Sequence, residues 1–178
     1  MKAKDIAYIS IFVAIMAVCS WISIPLPTIV FTMQTFAVSF CAFFLGFKRS
    51  LIAIVAYLIL GGVGVPIFNS FNAGLGTIVG PTGGFLVGFI PMVMVIAFAY
   101  KLGKKSFVGG IIAGTLGLVA LYIVGVPWLA VVTMGQQQFF SRLLASFVSM
   151  LPFLFFDFIK MLLALGLTKV MSKHVKLD

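Results

Sequence analysis

Acidic side chains are nearly missing from this chain. Its 178 residues include three Asp/Glu against twelve Lys/Arg, and charged residues of both signs make up only 8%. A soluble domain carries about a quarter charged residues and just under half apolar ones. Here 63% are hydrophobic and mean hydropathy is +1.29. So few charges cannot cover a water-facing surface, which excludes a soluble globular domain and a disordered chain alike. Lipid is the solvent for most of this molecule. Histidine is scarce too: the single one, His174, sits near the C-terminal end. That excludes a His-based metal site or catalytic triad within the membrane body. No G-x-x-x-x-G-K-[ST] run occurs, so the chain has no phosphate loop of its own. Work against a gradient must draw its energy from an ion or from another subunit. The two cysteines, Cys19 and Cys41, lie in apolar stretches and read as core filler, not as a disulfide or a metal site.

What the chain does have is long uncharged runs. Residues 6–47 carry no charge for 42 positions and residues 50–100 none for 51. A membrane helix needs ~20 apolar residues, so each run holds two spans. The first run breaks at Ile24-Pro25-Leu26-Pro27-Thr28, where two prolines separate helices. The second breaks over a longer, glycine-rich stretch from Gly61 to Thr82, with Pro81 suited to the first turn of the fourth span. A fifth span is expected from Ser106 to about Val124. A connection follows with Gly125, Pro127, Gly135 and Gln136-Gln137-Gln138, and a sixth span from near Met150-Leu151-Pro152 to Lys169. The expectation is an all-α, six-helix membrane domain over residues 1–178. The first apolar run is too long for a cleaved signal peptide, and Val18 is bulky where a cleavage site wants a small residue, so it reads as a retained span.

A net charge of +9 could suggest nucleic acid, but its placement argues otherwise. Lys2 and Lys4 precede span one, and Lys48 and Arg49 separate spans two and three. Lys101, Lys104 and Lys105 separate spans four and five, and Lys169, Lys173 and Lys176 follow span six. These are ten of the twelve bases; the opposite connections carry only Arg142. The positive-inside rule then sets both termini and the basic loops in the cytoplasm.

Two segments carry chemistry. Residues 61–84 hold eight glycines and two prolines, together with Asn69, Asn72, Thr77 and Thr82. Non-helical backbone at the membrane must be buried in protein or line a cavity. This outer loop between spans three and four therefore reads either as a fold over a small, partly apolar ligand or as a re-entrant turn that only packs. Gly80, Gly84 and Gly88 follow a small-xxx-small spacing, read as helix packing inside the fold rather than as a dimer face. The second segment is Pro152-Phe153-Leu154-Phe155-Phe156-Asp157-Phe158-Ile159-Lys160. Asp157 is the only acid between Asp5 and Asp178, and Lys160 is the only base well inside a span. Three residues apart on a helix, they share a face. Ionisable groups inside a membrane are costly and mark function by default, although a structural ion pair is the alternative. Counted from Pro152 at ~1.5 Å per residue, they lie ~8 and ~12 Å inside the outer end. A carboxylate accepts N–H groups and an ammonium favours a carboxylate. With Phe68, Phe71, Phe85, Phe155 and Phe158 as apolar walls, the ligand implied is small, with an N–H-rich head, an apolar middle and an acid: an amino acid or an acidic vitamin.

The glycine segment, from Gly61-Gly62-Val63-Gly64-Val65-Pro66-Ile67-Phe68 through Gly74-Leu75-Gly76 to Gly80-Pro81-Thr82-Gly83-Gly84-Phe85, resembles the signature of the BioY family. Ile24-Pro25-Leu26-Pro27 with Met33-Gln34-Thr35-Phe36-Ala37-Val38, and Pro152-Phe153-Leu154 with Asp157, Ile159 and Lys160, resemble it as well. These are the substrate-capturing S components of energy-coupling-factor biotin transporters. The resemblance implies six membrane helices in the bacterial cell membrane, an outward-facing biotin pocket, and no cofactor of the chain's own. It also implies partners: a membrane coupling protein and two cytoplasmic ATPases, which use the ATP. It implies that Asp157 and an asparagine of the loop contact the ureido ring, with Asn72 chosen over Asn69 for its closeness to Gly74. Phe68 and Gly74 would complete the pocket, and Lys160 would neutralise the valerate carboxylate. Members often have Pro-Gly before the aspartate, where Phe155-Phe156 stands here. Members carry an alanine-spaced docking face on the first helix; Ser10 and Ala14 hold that spacing here, extended by Ala3 and Ala7. The rival class is an ion-coupled carrier or channel using Asp157 as a proton or sodium site. A membrane enzyme is weaker, since no second acid or internal histidine accompanies Asp157.

The topology is open to direct test. In intact cells, cysteines introduced beside Lys104 and Lys173, in a background without Cys19 and Cys41, should resist a membrane-impermeant thiol reagent. Strong labelling at either position overturns the inside assignment.

Overall fold

The computed structural model describes residues 3–25, 30–133 and 139–175. Lys2, Lys176, the break residues Leu26, Pro27 and Thr28, and the Gly135–Gln138 part of the last connection lie outside the described residues. The chain is mainly helical: α1 (Ala3–Trp21), α2 (Gln34–Leu45), α3 (Phe47–Gly62), a short α4 (Leu75–Val79), α5 (Gly83–Leu102), α6 (Phe107–Thr133) and α7 (Phe139–Met171). Four of these, within α1, α5, α6 and α7, are long and apolar enough to cross a membrane.

The all-α expectation needs one amendment. After α1 the chain forms a small antiparallel hairpin, β1 (Ser23–Pro25) with β2 (Val30–Thr32), in the register Ser23↔Thr32, Ile24↔Phe31, Pro25↔Val30. Charge gaps and prolines announced a break but could not say how its backbone would be satisfied. In apolar surroundings those amides need partners, and two short strands supply them. The hairpin also completes a short element. The 12 residues of α2 span only ~18 Å, less than the ~30 Å apolar core of a bilayer. All of α2 except Phe36 is buried, so it is the central post of the bundle, and the hairpin continues the path beyond its N-terminus.

Boundaries shift elsewhere. Lys48 and Arg49 lie in the first turn of α3, not between helices, because the α2–α3 joint is the single residue Gly46 at φ +73°. The fifth span does not end near Val124: α6 runs on to Thr133 with Gly125 and Pro127 inside it. The sixth does not start at Met150–Pro152 either, since α7 begins at Phe139 and carries Pro152 internally. Pro81 precedes α5 instead of opening it, and Pro91 lies inside. Proline was read as a stop signal; membrane helices tolerate it because neighbouring groups re-satisfy the freed carbonyl. Asp157 consequently sits 18 residues into α7, ~27 Å from its start, deeper than the count from Pro152 implied.

Glycine sets how closely the helices approach. A Cβ on Gly84 would stand 2.3 Å from Trp128 Cβ, and one on Gly88 3.0 Å from Leu121. These two α5 residues therefore pack α5 on α6 inside the fold, whereas Gly80 lies outside the helix. On α6, Gly110 meets Leu165 and Gly114 meets Met161, which admits α7. Cys41 is buried in α2 and Cys19 half-buried in α1, and both are free thiols.

The basic groups gather at one end. Arg49 pairs with Asp5 at 2.7 Å, tying the starts of α3 and α1. Lys169, late in α7, donates to the Lys105 carbonyl at the α5–α6 turn. The other end holds the hairpin and the glycine-rich segment, pinned by Trp21 Nε1 to Pro66 O at 3.0 Å and Trp128 Nε1 to Gly80 O at 3.0 Å.

Gly84→Ala should lower the thermal unfolding midpoint of the detergent-solubilised protein, since overpacking a tight contact costs about 1–3 kcal/mol. Gly166→Ala on α7, whose Cβ would meet nothing within 4 Å, should not lower it. Equal midpoints for the two variants would refute this view of the α5–α6 contact.

Candidate functional site

Asp157 and Lys160 stand one turn apart on the inner face of α7, 8% and 5% exposed. Lys160 Nζ donates to Asp157 Oδ1 at 2.9 Å and to the Thr32 carbonyl of β2 at 2.6 Å. It also lies 3.7 Å from the centre of the Phe31 ring. Asp157 Oδ1 accepts Thr35 Oγ1 at 2.9 Å, from the first turn of α2, and Oδ2 accepts the Tyr122 hydroxyl at 2.9 Å, from α6. The carboxylate thus meets the N-terminal turn of α2, where the helix dipole favours an anion. A buried charge is tolerable only when paired and hydrogen-bonded, and here four elements supply the partners.

Around the pair lies a cavity lined also by Gln34, Asn69, Thr82, Phe85, Phe89 and Phe153. Its volume is about 60 Å³, well under the ~300–1,000 Å³ of typical small-molecule pockets. The reason is visible in the contacts: Thr32 occupies the ammonium and Phe31 covers it.

The glycine-rich segment is anchored at its root. Ile67 O accepts Ser20 Oγ at 2.6 Å and the Tyr57 hydroxyl at 2.7 Å, and that hydroxyl accepts Gln34 Nε2 at 2.6 Å. Phe68 is fully buried, edge-on to Tyr57 with centroids 5.4 Å apart. Its ring fills the space a Cβ on Gly61 would need, with Cζ only 2.1 Å from that position. Ser70 and Phe71 then adopt φ +54° and +62°, which sends Phe71 outward to stack on Trp21 at 4.9 Å. Between these anchors Asn69 is buried, 6% exposed, and faces the cavity.

Of the residues singled out from sequence, Asn69, Thr82, Phe85, Asp157 and Lys160 come together at the cavity. Asn72 does not: it is exposed, and its N–H donates to Asn69 O at 3.1 Å. Gly74, at φ +86°, donates its N–H to Gly61 O at 2.7 Å, closing the loop on its own base. Phe68 lies behind the cavity wall, while Phe71 and Phe155 are exposed. The residues that sequence reasoning passed over are Phe31, Thr32, Thr35 and Tyr122. Tyr122 had a readable signal, a phenol hydroxyl in an otherwise apolar span; the hairpin residues had none. On α1, Ala3, Ala7, Ser10 and Ala14 are all exposed, opposite the buried face of Ile9, Phe12, Met16 and Ala17.

Fold and site together define a helical membrane protein with a small cavity lined by a carboxylate–ammonium pair and bordered by a tethered loop. The BioY family model matches residues 1–177. The chain belongs to the BioY family. It is 38% identical over 154 residues to a biotin transporter BioY of Thermotoga maritima, covering 86% of this chain and 87% of that protein. It is 33% identical over 160 residues to a probable biotin transporter BioY of Pyrococcus horikoshii, covering 90% and 91%. In fold it is similar to a crystal structure of the S-component for biotin from an ECF-type ABC transporter. That match has a TM-score of 0.84 at 22% identity and covers 98% of this chain and 96% of that one.

Removing one member of a buried pair strands the other, at about 3–5 kcal/mol. Asp157→Asn should therefore lower the unfolding midpoint sharply, and the double variant Asp157→Asn/Lys160→Met should recover much of the loss. A double variant no more stable than the single one would mean that the pair does not carry this coupling.

Proposed function

We propose that this chain is the membrane-embedded, substrate-binding component of an ECF-type ABC transporter for biotin, a transport subunit in the cytoplasmic membrane and not an enzyme. The observation that carries the reading is a buried carboxylate–ammonium pair lining one cavity in a chain that the BioY family model matches over residues 1–177. Relatives over most of their length are biotin transporters.

Biotin has a ureido ring with two N–H groups, an apolar body and a valerate carboxylate. In this reading Lys160 exchanges the neutral Thr32 carbonyl for the ligand carboxylate, so that both partners of the bond are charged. Asp157 takes a ureido N–H. The loop asparagine is Asn69, not Asn72: burial and its place on the cavity wall support it. Phe68 and Gly74 shape the loop that carries Asn69. Phe85, Phe89 and Phe153 supply apolar wall. A ligand carboxylate at Lys160 takes the place of the Thr32 carbonyl, so Thr32 gives way as it binds.

Transport needs partners. The chain has no phosphate loop, so a coupling protein and two ATPases provide the drive. The exposed small-residue face of α1, Ala3, Ala7, Ser10 and Ala14, suits close packing with a partner helix. In this reading the membrane is crossed six times, by α1, by α2 with its hairpin, and by α3, α5, α6 and α7. The clustered bases put both termini in the cytoplasm.

Labelled biotin should stay with the detergent-purified chain, and wild type should prefer biotin to its methyl ester. A hydrogen bond to a charged group contributes roughly 1.5–3 kcal/mol, so Lys160→Ala should weaken biotin binding roughly ten- to a hundred-fold. The same variant should lose most of the acid-to-ester preference. Absence of biotin binding, with Asp157-dependent, proton-coupled uptake that needs no ATPase, would replace this reading with an ion-coupled carrier.

A further inference from the structure

Asp157 is held by more than its ion pair. Oδ1 accepts both Lys160 Nζ and Thr35 Oγ1 at 2.9 Å, and Oδ2 accepts the Tyr122 hydroxyl at 2.9 Å. A carboxylate offers about four acceptor positions. Three are thus committed to the protein, and the remaining one is on Oδ2. Tyr122 reaches the group from behind. The cavity lining passes through its neighbour Leu121 and not through Tyr122 itself. Its ring is buried edge-on to Phe85, centroids 5.7 Å apart at 82°. Thr35 comes from the opposite side, off the first turn of α2.

We propose that Tyr122 and Thr35 are positioning residues that aim Asp157 and set the selectivity of the head-group end of the site. They leave one acceptor position, on Oδ2, in a carboxylate whose charge is already shared by an ammonium and two hydroxyls. The proposal rests on the biotin reading above. Two consequences follow from the geometry. Asp157 accepts a single ureido N–H, so the second N–H needs another acceptor, and Asn69 lines the same cavity. A neutral urea is also preferred over a cationic analogue, because a carboxylate bound by three donors has little left to offer a positive head.

Tyr122→Phe keeps the ring and its contact with Phe85 while removing one donor, and Thr35→Val does the same at Oδ1. Affinities for biotin and for 2-iminobiotin, whose protonated guanidinium replaces the urea, are measured on wild type, both variants and Thr35→Ser. Each hydroxyl deletion should weaken biotin about ten-fold, the size expected for one bond to a charged group. Iminobiotin should lose less, because the stripped carboxylate regains an acceptor position and charge. Its affinity relative to biotin should therefore rise, by up to about ten-fold on the same scale. Thr35→Ser, which retains a hydroxyl, should keep the wild-type ratio, and the acid-to-ester ratio should stay unchanged throughout because Lys160 is untouched. If biotin and iminobiotin fall by the same factor, or neither changes, the hydroxyls are only structural and the proposal is overturned. If wild type binds no biotin, the functional reading fails and takes this proposal with it, an outcome distinct from a fixed ratio in a protein that does bind.

Discussion

A carboxylate and an ammonium inside a bilayer are tolerated only if neither meets hydrocarbon unpaired. Much of this architecture answers that requirement. α2 begins beside Asp157, so that Thr35 and the first turn face the carboxylate. The hairpin turns the Thr32 carbonyl onto Lys160. Tyr122 crosses from α6 to complete the set. Each partner comes from a different element, so the pair also fixes how α2, α6, α7 and the hairpin lie against one another. The groups of the candidate site are thus also groups that hold the bundle together.

Glycine does the complementary work on the apolar side. Gly84, Gly88, Gly110 and Gly114 bring α5, α6 and α7 close enough for Tyr122 to reach Asp157. Gly61 admits the Phe68 ring, which with Tyr57 anchors the root of the outer loop. From that anchor the chain turns through Ser70 and Phe71 in the left-handed region, and Asn69 is set into the cavity. The glycine-rich loop is tied down at Pro66, Ile67 and Gly80. Its rigidity comes from hydrogen bonds to Trp21, Ser20, Tyr57 and Trp128, residues far away in the chain.

The buried ion pair was legible in advance for one reason: charge is so rare here that Asp157 and Lys160 had no competitors. The neutral partners were not. Thr35 is one hydroxyl among many, and nothing local marks the Thr32 carbonyl as the lysine's acceptor. Between Asn69 and Asn72 the sequence offered only nearness along the chain to Gly74, which is not nearness in space. Three residues separate the two asparagines, and the positive-φ turn between them sends one inward and leaves the other exposed. Helix ends were misjudged at Pro127 and Pro152, since a rule suited to water, where a broken helix is readily solvated, was applied where lipid favours continuation.

Hydropathy and charge placement determined by themselves that the chain lives in lipid, that its bases gather at one end, and that the last helix carries an acid and a base within reach of each other. These properties are sums over residues, or spacings within one helix, and need no knowledge of which elements touch. Only the tertiary structure decided that a hairpin completes a short α2, that Phe68 is an anchor and not a pocket wall, that Asn69 faces the cavity, and that Thr35 and Tyr122 grip the aspartate. Each of those facts is a contact between segments far apart in the chain, such as the 122 positions separating Thr35 from Asp157. Such contacts depend on packing across helices, which local pattern does not encode.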